Sequence, residues 1–277
     1  MNTFIKRTIT GSLFVLISLL LILLDKISFF SFCVIANIWL SIEFISIIKN
    51  DNKKHTYIRT IIIGTIAIAI SFLCNVINFD TKLFWIIPIL ILTIFIEELF
   101  KNSEQHVNNI SILLLSLFYT TFPIILSIFL VTGDLFYYQN KVNFCPNILT
   151  GILILIWIYD SLAYCSGILF GQHRLFERIS PKKSWEGLIG GAIFTICAGI
   201  FMNLLFSEIY RGDWIAISII VVVFGTLGDL IESMFKRTVN IKDSGNLLPG
   251  HGGLLDRLDS FIFIIPFVFL YFLIISN

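Results

Sequence analysis

Apolar residues fall in long unbroken runs separated by short polar stretches, from one end of the chain to the other. Nine runs stand out: 9–24, 27–48, 60–79, 83–100, 110–131, 148–170, 185–207, 214–235 and 260–276. A helix needs about 20 apolar residues to cross the hydrocarbon core of a bilayer, and fewer where the bilayer thins. The runs are continuous rather than alternating, which predicts helices and not a membrane barrel. Only Asp25 and Lys26 part the first two runs, so a tight hairpin or a single broken element is expected there. The expected fold class is an all-α integral membrane protein, a polytopic helical bundle of about nine transmembrane helices.

Composition agrees with that pattern. Apolar residues make up 57% of the 277 and charged residues only 13%, too little polar surface for a soluble domain. A net charge of +1 supplies no bulk field for nucleic acid, which is not expected as a partner. The placement of charge says more. With nine spans, 15 of the 19 Lys and Arg residues fall on one side, and only Lys26, Lys82, Lys141 and Arg211 fall on the other. The positive-inside rule then puts the N-terminus and the 236–259 loop in the cytoplasm. Lys6 and Arg7 precede the first run, but no small-residue cleavage site follows, so that run is expected to remain as a membrane helix. Of the five cysteines, four lie inside apolar runs and no two have metal-ligand spacing, which makes them packing residues. Almost every polar cluster follows residue 147. The expected organisation is an N-terminal transmembrane region, 1–147, of about five helices. A C-terminal catalytic region, 148–277, follows, of about four helices with cytoplasmic loops 171–184 and 236–259.

Acids within or at the ends of spans are expensive and are functional candidates by default. Asp160 interrupts the run WIYDSLAYCSG, Asp229 and Glu232 close FGTLGDLIESMFKR, and Asp256 and Asp259 open the last run. Each of the last two pairs is spaced i, i+3, on one helix face. The plainer alternative is that these acids are helix caps or solvated ends, and for Asp160, near the middle of its span, an internal pair with a Lys or Arg. Glu43, Glu97 and Glu98 lack a neighbouring glycine turn or basic cluster and read as structural or interfacial. The loop around Ser180-Pro181-Lys182-Lys183, followed by Trp185 and Glu186, is either an ordinary positive-inside loop or a phosphate clamp. In KRTVNIKDSGNLLPGHGG, residues 236–253, Lys236, Arg237 and Lys242 flank Gly245, Gly250, Gly252 and Gly253, where backbone amides can approach an anion closely. His251 alone reads equally as a pH switch, a ligand or a loop residue. Taken together, carboxylates suit a hard divalent cation and the basic groups suit phosphate oxygens. That is the equipment for phosphoryl-group chemistry on a substrate with a charged end in water and an apolar end in lipid.

Three stretches carry a resemblance: Ser233–Arg237, Ile241–Gly245, and Leu248-Pro249-Gly250-His251-Gly252-Gly253-Leu254-Leu255-Asp256-Arg257-Leu258-Asp259. They resemble the signature of the phosphatidate cytidylyltransferases, or CDP-diacylglycerol synthases. DSLAY at 160–164, SPKKSWEG at 180–187 and GDLIES at 228–233 also resemble motifs of that family. The first 150 residues match it only in hydrophobic character. The resemblance implies transfer of CMP from CTP to phosphatidic acid, giving CDP-diacylglycerol and pyrophosphate, in a bacterial plasma (inner) membrane with the active site facing the cytoplasm.

It also implies a site. Asp229, Asp256 and Asp259 would be metal-site acids, with Asp160 and Glu232 beside them. Lys236, Arg237 and His251 would join the three aspartates as catalytic candidates. Ser180, Lys182, Lys183, Ser184, Glu186, Ser233, Lys242, Asp243, Gly252, Gly253 and Arg257 would bind substrate. The implied cofactor is Mg²⁺, with K⁺ as a monovalent ion sharing the site, and a homodimer is implied. A CTP-dependent polyprenol or phytol kinase, a related CDP-lipid synthase and an ion-coupled transporter remain as alternatives. A transporter would have no need of a dense Gly, His and charged loop at 236–259, and no internal repeat is visible.

Overall fold

The computed structural model describes residues 3–48, 54–77, 79–102, 104–132, 144–245, 247, 250 and 252–275, with side chains left undescribed in 3–9 and 54–57. The chain is a polytopic helical membrane protein. Two compact units form, one from Met1–Gly133 with Asp243–Arg257, the other from Asp134–Lys242 with Leu258–Asn277.

The first unit contains α1 (Thr3–Leu23), α2 (Lys26–Ile48), α3 (Lys54–Val76), α4 (Ile86–Leu99), α5 (His106–Ser116) and α6 (Phe122–Thr132). Asp25 turns the chain between α1 and α2. Its carboxylate accepts the Ser28 amide at 2.6 Å, and that bond holds the carboxyl below its ordinary range. A π-helical turn, Leu117–Thr121, joins α5 and α6 into one rod. Beside it runs a polar seam. Thr121 donates to Asn37 Oδ1 at 2.8 Å, and the Ser41 and Thr120 hydroxyls lie 3.2 Å apart. Gly64 faces the same seam, where a side chain would meet Thr121 Oγ1 at 2.7 Å. Small residues and matched hydroxyls hold helices together where lipid removes the hydrophobic drive.

Among the described residues, seven helices are long and apolar enough to cross a membrane: Lys26–Ile48, Ile58–Val76, His106–Thr132, Asn147–Phe170, Trp185–Leu205, Arg211–Thr238 and Leu255–Ile275. The expected runs 9–24 and 83–100 correspond to α1 and α4. Asp80 caps a 3₁₀ turn, Thr81–Trp85, which takes the start of the second of these runs. The remaining 14 residues of α4 rise only about 21 Å.

The second unit contains α7 (Asn147–Phe170), a β-hairpin of β1 (Arg174–Phe176) and β2 (Ser180–Ser184), α8 (Trp185–Leu205), α9 (Arg211–Thr238) and α10 (Leu255–Ile275) from Leu258 onward. The hairpin replaces the plain loop expected at 171–184. It pairs Arg174 with Ser184 and Phe176 with Ser180. Helices α7 and α8 pack at near-backbone contact, since a Cβ on Gly187 would lie 2.8 Å from Ala163 O and 3.2 Å from Gly167 Cα. Trp214 of α9 is fully buried and lies over Gly151 of α7, filling the space a side chain there would need. At 28 residues, α9 is about 42 Å long, more than the roughly 30 Å core of a bilayer. Its last turns, with Lys236 and Arg237, can therefore reach the headgroup layer. Basic residues there also suit the negative end of the helix dipole.

Trp214→Ala should lower stability by roughly 3–5 kcal/mol, read as an earlier thermal transition of the detergent-solubilised protein.

Candidate active site

The acidic cluster begins with glycines. Gly225 and Gly228 of α9 lie against α10. A Cβ on Gly228 would stand 2.7 Å from Phe263 Cβ and 2.8 Å from the Asp259 carbonyl. Ser260 donates to the Gly225 carbonyl at 3.2 Å across the same contact. With no side chain on α9 at these points, the two backbones come close, and the acids one turn further along α9 arrive beside α10. Asp229 and Glu232 of α9 and Asp160 of α7 all lie within electrostatic range of Asp259.

Basic groups are interleaved with them. Lys183, on β2, forms an ion pair with Asp229, and Lys236 forms one with Glu232 four residues back along α9. Ser233 donates to Asp229 Oδ1 at 3.2 Å. Glu232 is fully buried. A carboxylate taken out of water without such a partner would be strongly destabilising. The Tyr159 and Thr226 hydroxyls bond across α7 and α9 just below, fixing how those two helices meet.

The hairpin is shaped by its own contacts. Ser184 caps α8 by accepting the Gly187 amide at 3.1 Å. Glu186 takes the His173 amide at 3.2 Å, and its Oε1 lies 2.7 Å from His173 Nδ1. Ser184 and Glu186, expected as substrate ligands, thus hold the hairpin onto α8. Arg237 donates to the Ile179 carbonyl at 3.4 Å and to the Ile241 carbonyl at 3.1 Å, tying the end of α9 to the hairpin. Ser180 is half-buried; Lys182 and Lys242 are exposed. A surface depression lined by Gln172, His173, Arg174, Glu177, Trp185, Glu186 and Ile189 contains none of the four clustered acids.

The glycine-rich loop belongs to the first unit. Asp256 accepts the Ser244 amide at 2.9 Å and the Gly253 amide at 2.8 Å. Its carboxylate therefore closes the loop from both sides at the start of α10. The Gly253 amide, expected to face an anion, is given to Asp256. Glycine is required at 253 for space, because a Cβ would run into the Ser244 hydroxyl and the Glu43 carboxylate. Gly252 has φ +86°, a left-handed conformation that glycine adopts without strain. Asp243 and Arg257 are exposed to solvent at either end of the loop. His251 lies outside the described residues.

Glu43, read from the sequence as structural or interfacial, meets a glycine turn that lies far from it in the chain. It is buried on α2 and accepts the Leu254 amide at 2.9 Å, the Leu255 amide at 2.7 Å and the Ser244 hydroxyl at 3.1 Å. The available signal was an acid inside an apolar run with no base close by in sequence. Glu98, by contrast, is structural as expected, bonded by Lys101 at 2.5 Å and Asn109 at 2.6 Å.

Among the described residues, no three His, Cys, Asp or Glu side chains come together in metal-ligating geometry. A magnesium ion does not require three. It is commonly held by one or two carboxylates, with water and substrate phosphate completing an oxygen shell. Asp229 and Asp259 offer oxygen donors of that kind on facing helices.

Residues 5–275 match the family model of the cytidylyltransferase family. The phosphatidate cytidylyltransferase of Staphylococcus haemolyticus (strain JCSC1435) is 44% identical over 136 residues, 48% of this chain and 52% of that protein. That of Staphylococcus aureus (strain COL) is 43% identical over the same length and shares. The chain thus spans about half the length of the curated relatives it matches.

Gly228→Ala should push α9 from α10 and destabilise the protein by roughly 1–3 kcal/mol. Gly212→Ala is the control. It has open space around it and should be neutral or stabilising by up to about 1 kcal/mol. Thermal unfolding of both variants in detergent tests the pair.

Proposed function

The chain belongs to the cytidylyltransferase family, and from that premise we propose that it transfers CMP from CTP to phosphatidic acid, forming CDP-diacylglycerol and pyrophosphate. The observation that carries this reading is the alternation of acid and base around the end of α9: Lys183 on Asp229, Lys236 on Glu232, with Asp259 within electrostatic range of both acids.

A phosphate oxygen of phosphatidic acid attacks the α-phosphorus of CTP in line, the bond to the β-phosphate oxygen breaks, and pyrophosphate leaves. The attacking phosphate is already largely ionised near neutral pH, so the protein's task is positioning and charge neutralisation. Lys183 and Lys236 supply point charges that can pass from carboxylate to phosphate as substrate arrives. Arg237 stays tied to the hairpin carbonyl and keeps that side of the site in place. Asp229 and Asp259 would hold Mg²⁺, whose charge, when bound, offsets the negative charge on the transferring group and the departing pyrophosphate. A lipid substrate explains why such a cluster closes an apolar helix: the headgroup reaches the charges while the acyl chains stay between helices and lipid. The excess of Lys and Arg on one side supports an inner-membrane protein whose site faces the cytoplasm. A homodimer is part of the same proposal, tested by light scattering of the extracted protein.

The deciding assay supplies CTP labelled at the α-phosphate with phosphatidic acid in mixed micelles. Label should enter the lipid, and chelation should abolish this until Mg²⁺ is restored. Transfer of label only from γ-labelled CTP would mean a lipid kinase instead. Asp259→Asn should lower kcat by about 10²-fold or more. Lys183→Met should lose at least tenfold in kcat/KM while Lys182→Met stays within about threefold, because an exposed charge is screened and contributes little.

A further inference from the structure

Glu43 lies on the second helix, 201 to 212 positions from the groups it binds. It is only 5% exposed, and its two oxygens take the Leu254 and Leu255 amides and the Ser244 hydroxyl. The amides at 254 and 255 open α10, where the free N–H groups and the helix dipole make a ready anion site. Here the anion is a side chain of the protein. With the Gly253 amide on Asp256, three successive amides are held by two carboxylates. Gly253 and Gly245 lie against Glu43 so closely that a Cβ on Gly245 would be 2.9 Å from Oε1. The carboxylate thus fits a space that only glycines leave open, and the loop's shape depends on it.

We propose that Glu43 is a positioning residue for substrate binding: it clasps the glycine-rich loop in one shape and occupies the N-terminus of α10, so that a substrate phosphate cannot settle on the amides of residues 254 and 255. This rests on the cytidylyltransferase reading given above. Negative charge at the base of the loop also means that substrate phosphate is met by lysine and arginine side chains rather than by the amides of residues 253–255.

The test uses the full chain in detergent, as wild type and as Glu43→Gln, which keeps the shape but turns one acceptor into a donor facing an amide. Hydrogen exchange by mass spectrometry should show peptides covering 252–256 exchanging at least tenfold faster. The KM for CTP or for phosphatidic acid should rise at least tenfold. A merely structural role would reduce the amount of active enzyme and leave both KM values where they were. Both KM values within twofold of wild type therefore overturn the proposal, whatever the exchange shows. Should Glu43→Gln fail to fold, Ser244→Ala is judged by the same two readouts, since it removes only the hydroxyl that Glu43 accepts. Wild-type protein that puts no α-label from CTP into lipid would defeat the cytidylyltransferase reading instead, and the exchange data would still report whether the clasp exists.

Discussion

The close approach of α9 to α10 at Gly225 and Gly228 is the constraint on which the acidic cluster depends. Two helices whose backbones nearly touch have little freedom to rotate or slide past each other. Ser260, bonded to the Gly225 carbonyl, fixes the register further. Along the same contact, Asp229 and Glu232 come within electrostatic range of Asp259. In a low-dielectric setting such crowding of like charge is unfavourable unless cations are interleaved. Lys183 and Lys236 are so placed. Packing therefore produces the crowding, and the crowding creates the demand for cations and phosphate-binding bases that the proposed chemistry exploits.

The glycine-rich loop solves a different problem by the same means. A loop that opens a helix has several unpaired amides, and a buried acid has lone pairs that need donors. Asp256 and Glu43 answer both needs at once. The glycines at 245 and 253 serve this arrangement by leaving room for the Glu43 carboxylate. Their role is steric and conformational.

Much of this was legible in the sequence. Continuous apolar runs gave the helices, though α1, α3 and α10 begin five or six residues before their runs because polar first turns precede the apolar stretch. Asp25 marked the first hairpin, and the spacing of Asp229 and Glu232 put both on one face. What was not legible depends on distant partners or on competition between local structures. The 83–100 run looked uniform, but Asp80 caps a 3₁₀ turn that consumes its start. The 171–184 segment read as a loop, and its hairpin forms through pairing of Arg174 with Ser184 and the seating of Glu186 on His173. The family resemblance implied a metal-site role for Asp256; only the folded loop reveals the amides it accepts. Glu43 lies more than 200 residues from those it binds, a pairing that no local pattern encodes.

The central claim is that carboxylates from α9 and α10 act together on one divalent ion. The most direct measurement is Mn²⁺ binding by electron paramagnetic resonance to the purified protein with CTP present. The account predicts one tight Mn²⁺ per chain, lost to a similar degree in Asp229→Asn and in Asp259→Asn. Wild-type binding in both variants would contradict it.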